Sequence, residues 1–242
     1  MSVLLNSLHK PVAQDWKGFL TTENQKLIEF AEKQLSTDDY TPAANRVLHF
    51  LTVPLSGIKA VILGQDPYPQ RGVATGRSFE VGTLSDWNQP FRNVSLKNIL
   101  RLIYKTYYGD EVSYKSIVSK NNTDPFILPP TQLFKNWEKQ GVLLLNTAFT
   151  CEIGNSGSHA KYWKPFSDKL LSYLAQEKPD LHWILWGGHA QKITKELPIK
   201  YRHQSNHPMM CSKKNEADFL FGKYNTLAPT AEQIDWRGIG GV

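Results

Sequence analysis

Cysteine is scarce in this sequence, and long apolar runs are missing from it. The 242 residues contain two cysteines, Cys151 and Cys211, and no CxxC pair. This count argues against a zinc site or a disulfide framework and favours a reducing compartment. No run of about eighteen apolar residues occurs, so the sequence predicts no membrane span. The first residues lack a basic segment followed by a long apolar one, and we therefore expect no signal peptide and a cytoplasmic or nuclear location.

The overall composition is typical of a folded protein with a sizeable core. Apolar residues make up 40% of the chain and charged residues 21%. The 28 basic and 22 acidic residues give a net charge of +6, and this mild positive excess favours a polyanionic partner such as nucleic acid. Length alone allows one large α/β domain or two small ones. Because no repeat or clear boundary interrupts the chain, we predict one domain over residues 1–242.

Short apolar runs alternate with amphipathic segments along the chain. Residues 59–64, 141–146 and 181–187 are apolar and end in Gly or Asn, which predicts strands buried on both faces of a parallel sheet. Residues 24–35 have the apolar spacing of a helix. A second helical stripe lies within residues 161–176 and consists of Trp163, Phe166, Leu170, Leu171 and Leu174.

This order of strand, helix and strand predicts an α/β fold with helices covering the sheet. Residues 119–130 predict a polar, proline-bearing loop. In open α/β sheets, ligands bind beyond the carboxyl ends of the strands, so the polar residues that follow the apolar runs are candidates for a site. These candidates are Gln65, Asp66, Tyr68, Asn146, the Gly187–Gly188 turn and the polar segment at residues 202–212.

Several motifs occur here in a fixed order. GQDPYP occupies residues 64–69, Phe79 follows within ATGRSFEV, GVLLLNTAFT begins at residue 141, and HPMMCS occupies residues 207–212. With EQIDW near the C-terminus, they resemble family 1 uracil-DNA glycosylases, which excise uracil from DNA and whose corresponding motifs read GQDPYH and HPSPLS. The resemblance covers roughly residues 59–236. It implies a single α/β domain with a central, mostly parallel four-stranded sheet flanked by helices.

The resemblance implies a monofunctional enzyme that hydrolyses the N-glycosidic bond of a flipped-out deoxyuridine and leaves an abasic site in base excision repair. Cleavage develops positive charge on the sugar and negative charge on the departing base. Asp66 stands at the position of the carboxylate that stabilises the sugar and orients or deprotonates a water. His207 stands at the position of the donor to the pyrimidine O2. Water is the nucleophile, and the reaction requires no metal or organic cofactor.

Four further residues correspond to the family's base-binding positions: Gln65, Tyr68, Phe79 and Asn146. The amide of Asn146 complements the N3–H donor and O4 acceptor of uracil, and a flipped amide would complement cytosine. The Tyr68 ring, held between two prolines, excludes the C5 methyl group of thymine by overlap. Phe79 would stack on the base. His159 also matches a family position, whereas the other histidines are expected to be structural.

Three departures from the family pattern affect the expected chemistry. Pro69 replaces a histidine that can hydrogen-bond near the water. Met209 and Met210 replace a serine and a proline, and Cys211 replaces the leucine that wedges into the DNA stack. Cysteine fills less of the gap than leucine does, so we predict that Met210 or Met209 is the wedge, since methionine is long, apolar and adaptable.

The resemblance also implies contacts with DNA, and it places Met209, Met210 and Cys211 in the DNA-binding loop. Ser95, Ser212, Lys213 and Lys214 are expected to contact the DNA backbone. The resemblance implies single- or double-stranded, uracil-containing DNA as substrate, a proteinaceous uracil-DNA glycosylase inhibitor as a further partner, and a monomer. It implies no membrane partner.

Two alternative functions remain open at the level of sequence. The first is a catalytically weak relative that serves as a DNA-binding or processivity subunit. Pro69 and the altered HPMMCS loop favour it, whereas the retained Asp66, Asn146 and His207 argue against it. The second is a glycosylase for another base, which the retained Tyr68 and Asn146 disfavour.

Overall fold

The computed structural model describes residues 2–35 and 39–240. Within them, the strands in chain order are β1 (Tyr40–Thr41), β2 (Ala60–Gly64), β3 (Val142–Asn146), β4 (Cys151–Glu152), β5 (His182–Trp186) and β6 (Tyr201–Ser205). The helices are α1 (Val3–Asn6), α2 (Thr22–Glu32), α3 (Ala44–Val47), α4 (Val94–Tyr108), α5 (Tyr114–Thr123), α6 (Pro130–Lys139), α7 (Ala160–Glu177) and α8 (Gly188–Ile193). None of the helices in these residues is both long and apolar enough to cross a membrane.

The central sheet has four strands in the order β3-β2-β5-β6, and every neighbouring pair is parallel. The predicted fold class is therefore confirmed, and the sheet is wholly rather than mostly parallel. The predicted strand runs at residues 59–64, 141–146 and 181–187 correspond to β2, β3 and β5, in that order. The edge strand β6 overlaps the first residues of the polar segment 202–212. A short antiparallel pair, β1 with β4, lies outside this sheet.

Alternate residues of β2, β3 and β5 enter two separate hydrophobic cores. Val61 and Leu63 of β2 pack with α2 and α7 on one face, whereas Ala60 and Ile62 pack with α4 and α6 on the other. Because both faces are covered, the strands read as continuous apolar runs. The predicted stripe of α7 is buried in the first core, as its helical spacing requires.

The predicted loop at residues 119–130 is wrong for Pro130, which begins α6, and for its first five residues. They form the last part of α5, which begins after Ser113, whose hydroxyl caps the helix by accepting the Ser116 N–H at 3.1 Å. The helix ends just before Asp124, because a residue that precedes proline is disfavoured in helical conformation. Phe126 and Ile127 are then buried in the second core.

Candidate active site

A cavity of about 460 Å³ opens at the carboxyl ends of the central strands. It brings together eight of the residues selected from the sequence: Gln65, Asp66, Tyr68, Phe79, Ser95, Asn146, His207 and Met209. The carboxyl ends of parallel strands meet at one edge of a sheet, which explains how residues distant in sequence converge here. The Gly187–Gly188 turn, also selected from the sequence, lines the cavity as well, and so do Pro69, Arg77, Ser156 and His189.

The turn after β2 places Asp66 and Tyr68 at this edge. Pro67 is buried, Tyr68 packs against the second core, and burial raises the pKa of Tyr68 to about 12 while the Asn93 side chain opposes that shift in part. The phenol is therefore neutral at ordinary pH. The Asp66 carboxylate accepts two hydrogen bonds through the same oxygen, Oδ2: one from the Ser156 hydroxyl at 2.7 Å and one from the Gly157 N–H at 2.5 Å.

Asn146 ends β3 directly beside Gly64, which ends β2. Asn146 is 6% exposed, and no group among the described residues forms a hydrogen bond with its side-chain amide. A Cβ atom on Gly64 would lie 2.2 Å from Asn146 Oδ1 and 2.9 Å from Ser78 Cβ. The bare glycine therefore leaves the space in which the Asn146 amide sits, and close packing rather than hydrogen bonding limits its rotation.

Replacing Gly64 with alanine should displace the Asn146 amide, because overpacking of this kind costs about 1–3 kcal/mol. For the uracil excision that the resemblance implies, we expect kcat/KM to fall about ten- to a hundredfold. The matched control is Gly57→Ala, where the added Cβ meets only the Pro54 carbonyl oxygen at 3.7 Å. Equal excision rates for the Gly64→Ala variant and the wild-type chain would contradict this account of Asn146.

Phe79 presents its ring to the cavity from a left-handed backbone conformation. Its φ is 63°, which is costly for a residue with a side chain. The ring centre lies 5.4 Å from that of Trp186 and 6.1 Å from that of His207. The surrounding structure must therefore hold this turn in place.

A buried ionic cluster flanks the Phe79 turn. Arg77 pairs with Glu80 at 2.9 Å, which closes the turn, and with Glu138 of α6 at 2.6 Å. His49 contacts the other oxygen of Glu138 at 2.7 Å. Burial alone would raise the pKa of Glu138, but hydrogen bonds from His49 and Arg77 lower it. The cluster ties both sides of the strained turn to α6.

His207 follows β6 and faces the cavity. Its Nδ1 accepts the Met209 backbone N–H at 3.2 Å, and burial lowers the pKa of His207. The imidazole is therefore neutral at pH 7, with its proton on Nε2, so that Nε2–H is the available donor. A Cβ atom on Gly187 would lie 2.9 Å from His207 Cβ, and Gly187 has a φ of 89°, so glycine permits this approach.

The four candidate DNA contacts that follow His207 in the HPMMCS loop differ in their exposure to solvent. The Met209 and Met210 residues are 59% and 69% exposed. Cys211 is half-buried, packs against the second core and directs its thiol to the Pro208 carbonyl oxygen at 3.5 Å. Ser212 is exposed, and its backbone N–H is held by the buried Asp218 carboxylate.

Two of the remaining basic and polar candidates have defined surroundings. The Lys213 ammonium lies 5.3 Å from the centre of the Phe221 ring, on the exposed side of the loop. Ser95 lies in the first turn of α4 and lines the cavity. Asn98 on the same helix donates to the Pro208 carbonyl oxygen at 2.7 Å, and so joins α4 to the HPMMCS loop.

Sequence reasoning missed three polar residues of the cavity and gave His159 no defined role. His189, expected to be structural, lines the cavity and contacts the Thr147 hydroxyl at 2.8 Å. Its position just after the predicted strand at residues 181–187 is the signal that could identify it. Ser156 and Arg77 carried no signal of their own. His159 does not line the cavity but is buried against the Thr150 hydroxyl, 3.0 Å from Nδ1.

Comparison with known proteins decides the family. The sequence model of the family described as "Uracil DNA glycosylase superfamily" matches residues 52–228 of this chain. The chain belongs to this superfamily. A relative named uracil-DNA glycosylase from Azobacteroides pseudotrichonymphae genomovar. CFP2 is 32% identical over 240 residues, which covers 93% of this chain and 98% of that protein. Another with the same name, from Exiguobacterium sibiricum, is 33% identical over 91% of this chain and 92% of its own length.

Solved structures of superfamily members share the fold. The crystal structure of mimivirus uracil-DNA glycosylase superposes with a TM-score of 0.64 at 28% identity, covering 86% of this chain and 71% of that one. A mimivirus variant in complex with UGI superposes with a TM-score of 0.63 at 27% identity, over 86% of this chain and 73% of that one. The enzyme from Nitratifractor salsuginis, at 24% identity and a TM-score of 0.66 over 86% and 87% of the two chains, supports the fold alone.

Proposed function

We propose that this chain is a monofunctional uracil-DNA glycosylase, which hydrolyses the N-glycosidic bond of a flipped-out deoxyuridine and leaves an abasic site. The observation that carries the proposal is the convergence of Asp66, Tyr68, Asn146 and His207 on one cavity in a member of this superfamily. A cavity of about 460 Å³ is within the size range of sites for small ligands, which suits a single extruded base.

The cavity contacts support a distinct task for each residue. The free oxygen of Asp66 stabilises the developing positive charge on the sugar and orients the attacking water. The Nε2–H of His207 donates to the uracil O2, where negative charge develops as the base departs. No lysine occurs in the GQDPYP or HPMMCS motifs, which supports water rather than an amine as the nucleophile.

Base choice rests on two side chains with restricted freedom. The Asn146 amide, packed against Gly64, pairs with uracil N3–H and O4, and such a bidentate contact discriminates by about 1–3 kcal/mol. The Tyr68 ring is held in the turn by Pro67 and Pro69, so that it cannot yield to the methyl group of thymine. Phe79 supplies the stacking surface.

The direct test is formation of abasic sites. A uracil-containing oligonucleotide incubated with the full chain and then treated with alkali should be cleaved at the uracil position. Binding to the oligonucleotide without cleavage would overturn the proposal and favour the alternative, a DNA-binding or processivity subunit.

The DNA surface surrounds the mouth of this cavity. We place Ser95, Ser212, Lys213 and Lys214 on the phosphate backbone, and the net charge of +6 supports a polyanionic partner. A proteinaceous inhibitor is a second proposed partner, because a mimivirus relative is solved in complex with UGI. We propose that the chain acts as a monomer.

The wedge that fills the vacated stack is Met210 or Met209 in this proposal. Cys211 is turned toward the core, whereas both methionines project from the loop. Replacing each methionine with alanine should lower excision from duplex DNA several-fold for at least one of them, because a shorter side chain holds the flipped base out less well. Excision from single-stranded DNA is the internal control and should change less than twofold. Unchanged duplex excision in both variants would exclude a methionine wedge.

A further inference from the structure

Asp66 is held by a loop that sequence reasoning did not connect with the site. The Ser156 hydroxyl and the Gly157 N–H come from the segment at residues 153–158, between β4 and α7, and both donate to Asp66 Oδ2. No group among the described residues hydrogen-bonds the other oxygen, Oδ1. A carboxylate oxygen accepts about two hydrogen bonds, so Oδ2 is saturated and Oδ1 is the oxygen left for a water.

The loop that carries these two donors is anchored on both sides. The Gly154 N–H donates to the Pro69 carbonyl oxygen at 2.9 Å, which ties the loop to the turn that bears Asp66. The Glu152 N–H donates to the Ser158 hydroxyl at 2.8 Å and closes the loop on itself. Gly157 turns with a φ of 80°, a conformation that favours glycine. Ser156 is therefore presented to Asp66 by a defined backbone.

We propose that Ser156 is a positioning residue for Asp66. Its hydroxyl holds Oδ2 so that Oδ1 faces the cavity, and it supplies a side-chain donor in a site where Pro69 stands in place of the histidine of related motifs. Pro69 contributes through its carbonyl group, which docks the loop that carries Ser156. Charge-assisted hydrogen bonds to a carboxylate are about twice as strong as neutral ones, so the single hydroxyl matters to the orientation. The inference rests on the proposed glycosylase function.

The test separates kcat from KM in three variants of the full chain on a single-stranded uracil oligonucleotide. Ser156→Ala should lower kcat about tenfold or more and leave KM within about twofold, because the hydroxyl orients the reacting carboxylate without touching the base. Ser156→Thr retains the hydroxyl at an exposed position and should restore most of kcat. Asn155→Ala is the matched control, since it removes an exposed polar side chain from the same loop, and that side chain contacts the Glu152 carboxylate and not Asp66.

A double variant distinguishes positioning from loop structure. Combined with Asp66→Asn, Ser156→Ala should lower the residual single-turnover rate less than twofold further, because its effect passes through Asp66. Wild-type kcat in Ser156→Ala, an equal loss in Asn155→Ala, or a full additional loss in the double variant would each overturn the inference. Uracil release by the wild-type chain would remain in all three cases. A wild-type chain that releases no uracil would overturn the proposed function as well.

Discussion

Replacing Asp66 with asparagine should lower kcat for uracil release by about 10²–10⁴-fold, the range that a positioned acid or base contributes. The reason lies in the two donors on Oδ2. The amide oxygen of the new side chain will occupy that position, because it alone can accept from Ser156 and Gly157. The NH₂ group then faces the cavity, where it can neither orient a water as an acceptor nor stabilise positive charge on the sugar.

Single-turnover excision measures this loss without interference from product release. The affinity for uracil-containing DNA and the Tm should stay close to those of the wild-type chain, since asparagine preserves the shape of the side chain. A kcat within threefold of wild type would show that Asp66 does not act on the reaction.

Replacing His207 with alanine should lower kcat by about 10²–10³-fold, as is typical when one donor to a developing oxyanion is removed. Because Nδ1 accepts the Met209 backbone N–H, the neutral ring carries its proton on Nε2, and Nε2–H is the donor available to the cavity. Burial lowers the pKa of His207, so the ring holds this form at neutral pH. The expected deficit is in the chemical step, because the contact strengthens as charge develops on the base.

The control for His207 is a variant that retains an N–H donor. His207→Gln should recover part of the rate lost in His207→Ala, measured by single-turnover excision from the same oligonucleotide. Equal rates for the alanine variant and the wild-type chain would remove His207 from the mechanism.

Periodicity and motif order predicted most of the architecture. The strand runs at residues 59–64, 141–146 and 181–187 are strands because each is long enough to cross the sheet and apolar enough for two buried faces. Their carboxyl ends necessarily share an edge, so the convergence of Asp66 and Asn146 also followed from the pattern. His207 joins them because β6, which is not one of these runs, pairs in parallel with β5. The helical conformation of residues 119–123 could not be predicted in this way, because polar residues on an exposed helix face resemble those of a loop.

The supports of the site could not be predicted from the sequence. Ser156 lies 90 residues from Asp66 and sits in a polar loop, where a serine carries no periodic or motif signal. Gly64 read as a strand terminus, and only the distance to Asn146 Oδ1 shows why a side chain is excluded there. Arg77 and Glu138 are 61 residues apart, and their pairing depends on how α6 packs beside the Phe79 turn.

The most direct measurement compares four matched oligonucleotides that contain uracil, cytosine, thymine or hypoxanthine at one position. After incubation with the wild-type chain, the free base released from each is quantified by mass spectrometry. We predict uracil release with no detectable release of the other three bases, because Asn146 pairs with N3–H and O4 and the Tyr68 ring excludes the thymine methyl group. Release of another base at a rate equal to that of uracil, or of no base at all, would contradict the assignment of this cavity as a uracil-excising site.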